Sequence, residues 1–332
     1  MLNRRRIHSY DGIYDFNLFT SSISVYKVDD DALADLKLNH PAEFVRMASA
    51  GMEGEVELVK ALERDSLFED ARGEHLLLYW LALGNSWFYL YSGTQLGTDA
   101  EINGWMAQEP TQASRDFDGH DFTSWVYDLH RPDEPYAARG QHPLGLGIHR
   151  YILVSQLSRQ ERDYLDLQSK LYLLNALDPA LFGFSGFWVR APWDGQPLRF
   201  NLAVRHELTP FGFVVELDGL FREDPIRLAL SLRTYVNNEL GFPGLEASLW
   251  RLPLTEVLSG SARVGLWLQP KNQLFRDKDA LPGGLLALRL DARVVEPVSL
   301  YVEVEGKTAG WVAGNEFLDA SLAGRFGVCL FP

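Results

Sequence analysis

Four of the eight histidines, His120, His130, His142 and His149, fall within about thirty residues, in a stretch dense in Asp, Gly and Pro. Its core reads Gly119-His120-Asp121-Phe122-Thr123-Ser124-Trp125-Val126-Tyr127-Asp128, followed by His130-Arg131-Pro132. On a helix, His120, Ser124 and Asp128 stand at i, i+4 and i+8 on one face, with Asp121 and Trp125 beside them. A hydroxyl beside an imidazole that a carboxylate orients is the arrangement for nucleophilic acyl transfer, in which His takes the Ser proton and the carboxylate fixes the tautomer. The candidate catalytic residues are therefore His120, Asp121, Ser124 and Asp128; if the chain is an enzyme, the expected activity is that of a membrane-lipid hydrolase or acyltransferase. Against this stands the fact that such groups normally converge from different elements. The competing reading is helix capping by Asp118 or Asp121, with His120 satisfied by hydrogen bonds.

A metal site would recruit His120, Asp121, His142 and His149, with Glu53 or Glu55; imidazole and carboxylate suit zinc or a similar ion. The spacing matches no compact ligand motif such as HExxH, so the sequence assigns neither a metal nor a cofactor. Residues 140–147 carry glycines but no Lys followed by Ser or Thr, and read as an ordered turn, not a phosphate cradle.

The elements that must position these residues change character near residue 185. Between 33 and 180 the period is helical. Pro41 opens a helix carrying Phe44, Val45, Met47, Val56, Leu58, Val59 and Leu62, with Gly51 and Gly54 as weak points. Residues 159–177 form another, with Ser158 and Glu161 as its capping box. The apolar run 76–91 is shorter than the roughly 20 residues of a membrane-spanning helix, and reads as a buried helix or interfacial hairpin. Two domains follow: 1–184, helix and loop, with one or two extra strands at 10–28 (Tyr14, Phe16 and Leu18 on one parity), and 185–332.

In the second domain the period is 2. Leu198, Phe200, Leu202 and Val204 alternate with Arg199, Asn201, Ala203 and Arg205, and the same alternation recurs through Leu217, Leu232, Leu245, Leu266, Leu288, Val302 and Phe326. These are eight strands in succession without a helical crossover, so the pairing is antiparallel. The fold class is α+β: an N-terminal helical and loop region followed by an antiparallel up-and-down β-barrel of at least eight strands, closure removing the exposed edges.

Strict alternation fits a soluble barrel with its apolar face inside, binding an apolar ligand, or a membrane barrel with that face outside. The cations on the polar parity are all Arg, interleaved with Glu216, Asp218, Glu246, Asp291, Glu303 and Glu305, while Lys271, Lys278 and Lys307 fall in turns. Planar Arg forks paired with carboxylates suit a confined polar lumen. Aromatic residues near the strand ends, among them Trp188, Trp193, Tyr235, Phe242 and Trp311, would form interfacial girdles. Through this alternation and a last strand that ends near Phe331, residues 185–332 resemble bacterial outer-membrane β-barrel proteins. The resemblance is one of class and implies an outer-membrane location with the chain terminus on the periplasmic side; the histidine-rich segment beside apolar helices adds a lipid or other amphipathic molecule as the expected partner, the alternative being a noncatalytic channel or structural barrel. Pro332 after Phe331 departs from the usual aromatic terminus.

Composition excludes several alternatives. With 46% apolar and 23% charged residues the chain is of the folded type. A formal charge of -14 argues against nucleic acid as a partner. The single cysteine, Cys329, permits neither an intrachain disulfide nor a cysteine zinc site. Arg4, Arg5 and Arg6 read as a solvated terminus. No apolar h-region follows them, so an exported form would have lost its leader.

Overall fold

The computed structural model describes residues 2, 5–15, 22–70, 74–192 and 194–330; Arg4, Phe16, Leu18, Trp193, Phe331 and Pro332, which carried expectations, lie outside them. The chain forms two compact units that interleave along the sequence. Unit 1 comprises residues 1–52, 86–171 and 209–211; unit 2 comprises 53–85, 172–208 and 212–332. Residues 53–85 and 172–184, N-terminal to the change of period, thus group with the strands.

Unit 1 opens with a two-stranded antiparallel hairpin, β1 (Tyr10–Asp15) and β2 (Ser22–Tyr26). Helix α1 (Asp30–Asn39) follows, and α2 (Pro41–Phe68) begins in this unit. Val28, Leu33, Leu36, Phe44 and Tyr136 make a buried apolar cluster. Next to it Asp30 binds the guanidinium groups of Arg115 and Arg150, each at 2.7 Å, and accepts the amide N–H of Ile148 at 2.8 Å. Helix α2 runs through Gly51 and Gly54 without a break. Two glycines cost a helix about 1 kcal/mol each, which the buried face carrying Phe44, Val45, Val56 and Val59 offsets.

The 76–91 segment is one helix, α3 (Glu74–Ser92), and α4 (Thr98–Gln108), α5 (Asp121–His130) and α6 (Arg159–Leu171) follow. The capping box forms as the sequence indicates: the Ser158 amide donates to Glu161 Oε2 at 2.6 Å, and the Glu161 amide to Ser158 Oγ at 3.3 Å. Beyond Leu171 the chain tightens into a 3₁₀ stretch over Tyr172–Ala176, so the α-helix stops short of the expected end at Leu177.

Unit 2 contains a nine-stranded antiparallel meander: β3 (Phe187–Arg190), β4 (Pro197–Thr209), β5 (Gly212–Glu223), β6 (Ile226–Val236), β7 (Gly241–Pro253), β8 (Leu258–Pro270), β9 (Ala280–Val295), β10 (Val298–Lys307) and β11 (Ser321–Leu330), each paired with its sequence neighbours. Its register puts like with like. Leu217, Leu232, Leu245 and Leu266 sit opposite one another across β5 to β8, and one residue along Glu216 faces Arg233.

The apolar parity points away from the chain's interior. Leu232 is 56% exposed, Leu266 63%, Leu288 55% and Phe326 87%, whereas Glu216, Arg233 and Glu246 on the other parity are each 9% exposed or less. Tyr235, Phe242 and Trp311, expected in interfacial girdles, are also buried. Tyr235 shares the parity of Arg233, so it faces inward and meets Trp311 edge-on at 6.2 Å. Trp188, by contrast, is exposed on β3.

The sheet does not close into a barrel, which corrects the expected topology. The outer edge of β4 is occupied by its own chain: β3 pairs with residues Pro197 to Phe200, and farther along Val204 donates to the carbonyl of Leu177 at 3.3 Å. The side chain of Asn175 then bonds both backbone groups of His206, at 3.2 and 3.0 Å. With those groups satisfied, β4 has no free ladder to offer β11, and the far edge of β11 has no partner strand among the described residues.

Candidate functional site

In unit 1 the four expected catalytic residues are buried or half-buried around α5, but they do not form one relay. His120 is the N-cap of the helix and makes no side-chain cap. Its Nε2 lies 2.9 Å from Oγ of Ser92, a residue at the end of α3 that the sequence reading did not select. Ser124 Oγ instead donates to the carbonyl of Asp118 at 2.9 Å. Asp128 binds Lys37 Nζ at 2.7 Å and the guanidinium of Arg139, forming a buried ion triad. The i, i+4, i+8 spacing holds, yet each polar group turns to a partner from another segment. The Ser124–His120–Asp128 arrangement is therefore not assembled.

Ser92 Oγ donates to the carbonyl of Tyr89 at 2.7 Å, and the same oxygen is the one that meets Nε2 of His120. Burial lowers the imidazole pKa to about 4, so it is neutral near pH 7. Its Nδ1 is buried without a hydrogen-bond partner among the described residues, so no carboxylate orients the ring toward Ser92. Gly93 packs closely beside it: a Cβ there would stand 3.0 Å from His120 Cε1.

Asp118 and Asp121 form a carboxyl pair. Burial raises both, Asp118 well above the ordinary range and Asp121 to about 7, so the pair retains a proton at neutral pH. The Asp121 amide donates to the Tyr89 hydroxyl at 3.1 Å, and the Tyr89 ring lies 4.4 Å from that of His120. This is a tightly buried polar knot. The competing expectation, a side-chain cap from Asp118 or Asp121, is not what satisfies the helix start: His120 occupies the cap position.

The metal set is likewise not brought together. His142 Nδ1 accepts the Leu144 amide at 3.2 Å and Nε2 lies 2.8 Å from Glu109, while Glu53 accepts from Trp311 Nε1 and the Gly314 amide at 3.2 and 2.9 Å. Among the described residues no three His, Cys, Asp or Glu side chains are grouped to hold a metal ion.

Unit 2 holds a second concentration of polar groups. The C-terminal part of α2 lies along the polar face of the sheet. Lys60 binds Glu216 at 2.8 Å, Glu63 and Asp178 bind Arg205, and Arg233 and Arg263 both bind Glu246, at 2.9 and 2.7 Å. The carbonyl of Leu67, at the helix end, accepts from Arg222 at 3.2 Å, and Asp70 binds both Arg199 and Arg222. These cations meet the negative end of the helix dipole. Between helix and sheet is a cavity of about 430 Å³ with walls from α2 and β5 through β11. The sequence reading missed the helix side of this site. Its signal is the stripe Glu53, Glu57, Lys60 and Arg64, spaced at i, i+4, i+7 and i+11 on the same helix as the apolar stripe.

No protein-family model, curated protein or solved structure matches this chain. Among the described residues no helix is long and apolar enough to cross a membrane.

Proposed function

We propose that the chain is an outer-membrane protein whose open antiparallel sheet meets hydrocarbon with its apolar face, whose charged face is covered by α2, and which holds a lipid or other amphipathic molecule. The supporting observation is the inversion of the sheet: leucines and valines from Leu202 on β4 to Val328 on β11 are exposed, and the charged parity is buried. A contiguous apolar face of this kind is rare on a solvated monomer, and apolar-out alternation over a polar interior is the pattern of membrane barrels. Unsatisfied strand edges are costly in hydrocarbon, so this reading requires the free edge of β11 to gain a partner in the membrane.

Binding is favoured over hydrolysis because no carboxylate meets Nδ1 of His120 and Asp128 is paired with Lys37 and Arg139. It is favoured over conduction because α2 lies across the charged face. Planar bilayers containing the protein are therefore expected to show no steady conductance. The test is electrophoretic mobility in detergent, boiled against unboiled, together with flotation on liposomes. Faster migration of the unboiled form and co-flotation are expected. A protein that is soluble in plain buffer, stays off the liposomes and shows no mobility shift would overturn the reading.

A further inference from the structure

The cavity of unit 2 is lined by more than ten charged side chains, and all but one are accounted for. Glu57 pairs with Lys60 at 3.5 Å, Glu303 with Arg325 at 2.5 Å, and Arg289 with Asp291 at 2.7 Å; the remaining carboxylates and cations are joined in the Arg205, Arg233 and Glu246 networks or bonded to Asn315. Arg64 is the exception. Among the described residues its guanidinium has no salt bridge and no hydrogen bond, and its Nε is buried without an acceptor. It stacks on the Trp250 ring, 4.2 Å from the centroid, and the indole Nε1–H of Trp250 is a second buried donor without an acceptor. Arg251 reaches the same ring at 5.3 Å. The Ser248 hydroxyl is on the wall, opposite Arg263 in the register of β7 and β8.

What this corner lacks is an acceptor. Stacking engages the face of a guanidinium and leaves its edge N–H groups available for a bidentate oxyanion. A buried donor left unmade costs about 1–3 kcal/mol, and two adjacent donors, one of them on a guanidinium without an ion-pair partner, call for a ligand that brings oxygen atoms. A cavity of about 430 Å³ is within the range of small-molecule sites. We propose that this corner binds a phosphate or carboxylate head group, with Arg64 as its principal partner, Trp250 as its platform and Ser248 as a further donor. The inference does not depend on the membrane reading, because the site lies wholly on the charged side of unit 2.

The test is calorimetric titration of the full chain at low salt. One arm uses glycerol 3-phosphate; the other uses vesicles of phosphatidylglycerol against vesicles of phosphatidylcholine. Saturable binding of glycerol 3-phosphate that weakens about tenfold or more in Arg64→Gln, while the exposed Arg293→Gln variant binds like wild type, supports a free oxyanion as ligand. Binding confined to phosphatidylglycerol vesicles with the same dependence on Arg64 supports the site with a membrane head group as its source. No binding in either arm, or binding that Arg64→Gln leaves unchanged, overturns the proposal. Circular dichroism checks the fold of the variant. Should Arg64→Gln fail to fold, Ser248→Asp, which puts a like charge against the ligand, is expected to abolish binding, and unchanged binding there also overturns the proposal.

Discussion

Unit 1 and the sheet of unit 2 use the same residue types in opposite senses. In unit 1 Leu33, Trp125 and Val126 are inside, and buried charges are set among them in compact groups, Asp30 and Asp128 each bound by two cations. In unit 2 the charges make the interior, linked from Lys60 through Glu216, Arg233 and Glu246 to Arg263, and the leucines are outside. A buried ion pair is weak evidence of stability, since desolvation cancels most of its attraction. A sheet that nonetheless buries a chain of them and exposes its apolar residues suits surroundings where exposing apolar groups is not costly. The contrast teaches that alternation defines two faces, and that the partners of the charges decide which face is inside.

The strongest way to break the contrast is to remove one charge from the inverted interior. Arg205→Leu leaves Glu63, Asp178 and Asp218 facing one another and is expected to cost about 3–5 kcal/mol in denaturant unfolding. A loss below about 1 kcal/mol would show that the interior is hydrated enough to dispense with the cation. The outer face gives the converse test. Leu288→Arg at the middle of β9 should cost about 2–4 kcal/mol when unfolding is followed from liposomes; a neutral effect would mean that the face is solvated.

In unit 1 the comparison is sharpened by pH. His120, with its pKa lowered to about 4 from 6.5, binds fewer protons folded than unfolded, so its contribution is complete above the unfolded value and is lost as pH falls toward 4. Wild type should therefore lose up to about 3 kcal/mol relative to His120→Asn between pH 6.5 and 4. The Asp118–Asp121 pair, raised by burial, has the opposite sign: its contribution is present at low pH and fades as pH rises through about 7. Subtracting the variant's curve from that of wild type separates the two. The smallest expected effect is Gly54→Ala. This exposed position in α2 has nothing within 4 Å of an added Cβ, and the substitution should stabilise by about 0.5–1 kcal/mol.

Much of the sheet was legible because strand parity is a local property. Each alternating run became a strand, and the Arg–Glu interleaving anticipated pairs such as Arg233 with Glu216. Closure was not legible, because it depends on Asn175 and Leu177 reaching the edge of β4, a contact between segments about 30 residues apart with no periodic trace. At α5 the helix and its burial followed from pattern, but the partners of His120, Ser124 and Asp128 come from α3, the preceding loop and α1, which spacing within one segment cannot show. The charged stripe of α2 was present in the sequence and was overshadowed by the apolar residues of the same helix. It had meaning only once the face opposite was known to be Arg and Glu.

The central claim, that the outer face of the sheet meets hydrocarbon, is tested most directly by depth-dependent quenching. In a Cys329→Ser background, a bimane label at Leu288→Cys, on the outer parity of β9, is compared with one at Ala287→Cys, on the inner parity, after reconstitution into liposomes containing nitroxide-labelled lipid. The account predicts strong quenching at position 288 by the lipid nitroxide and little at 287. Quenching at 288 by aqueous iodide, with none from the lipid nitroxide, would contradict it.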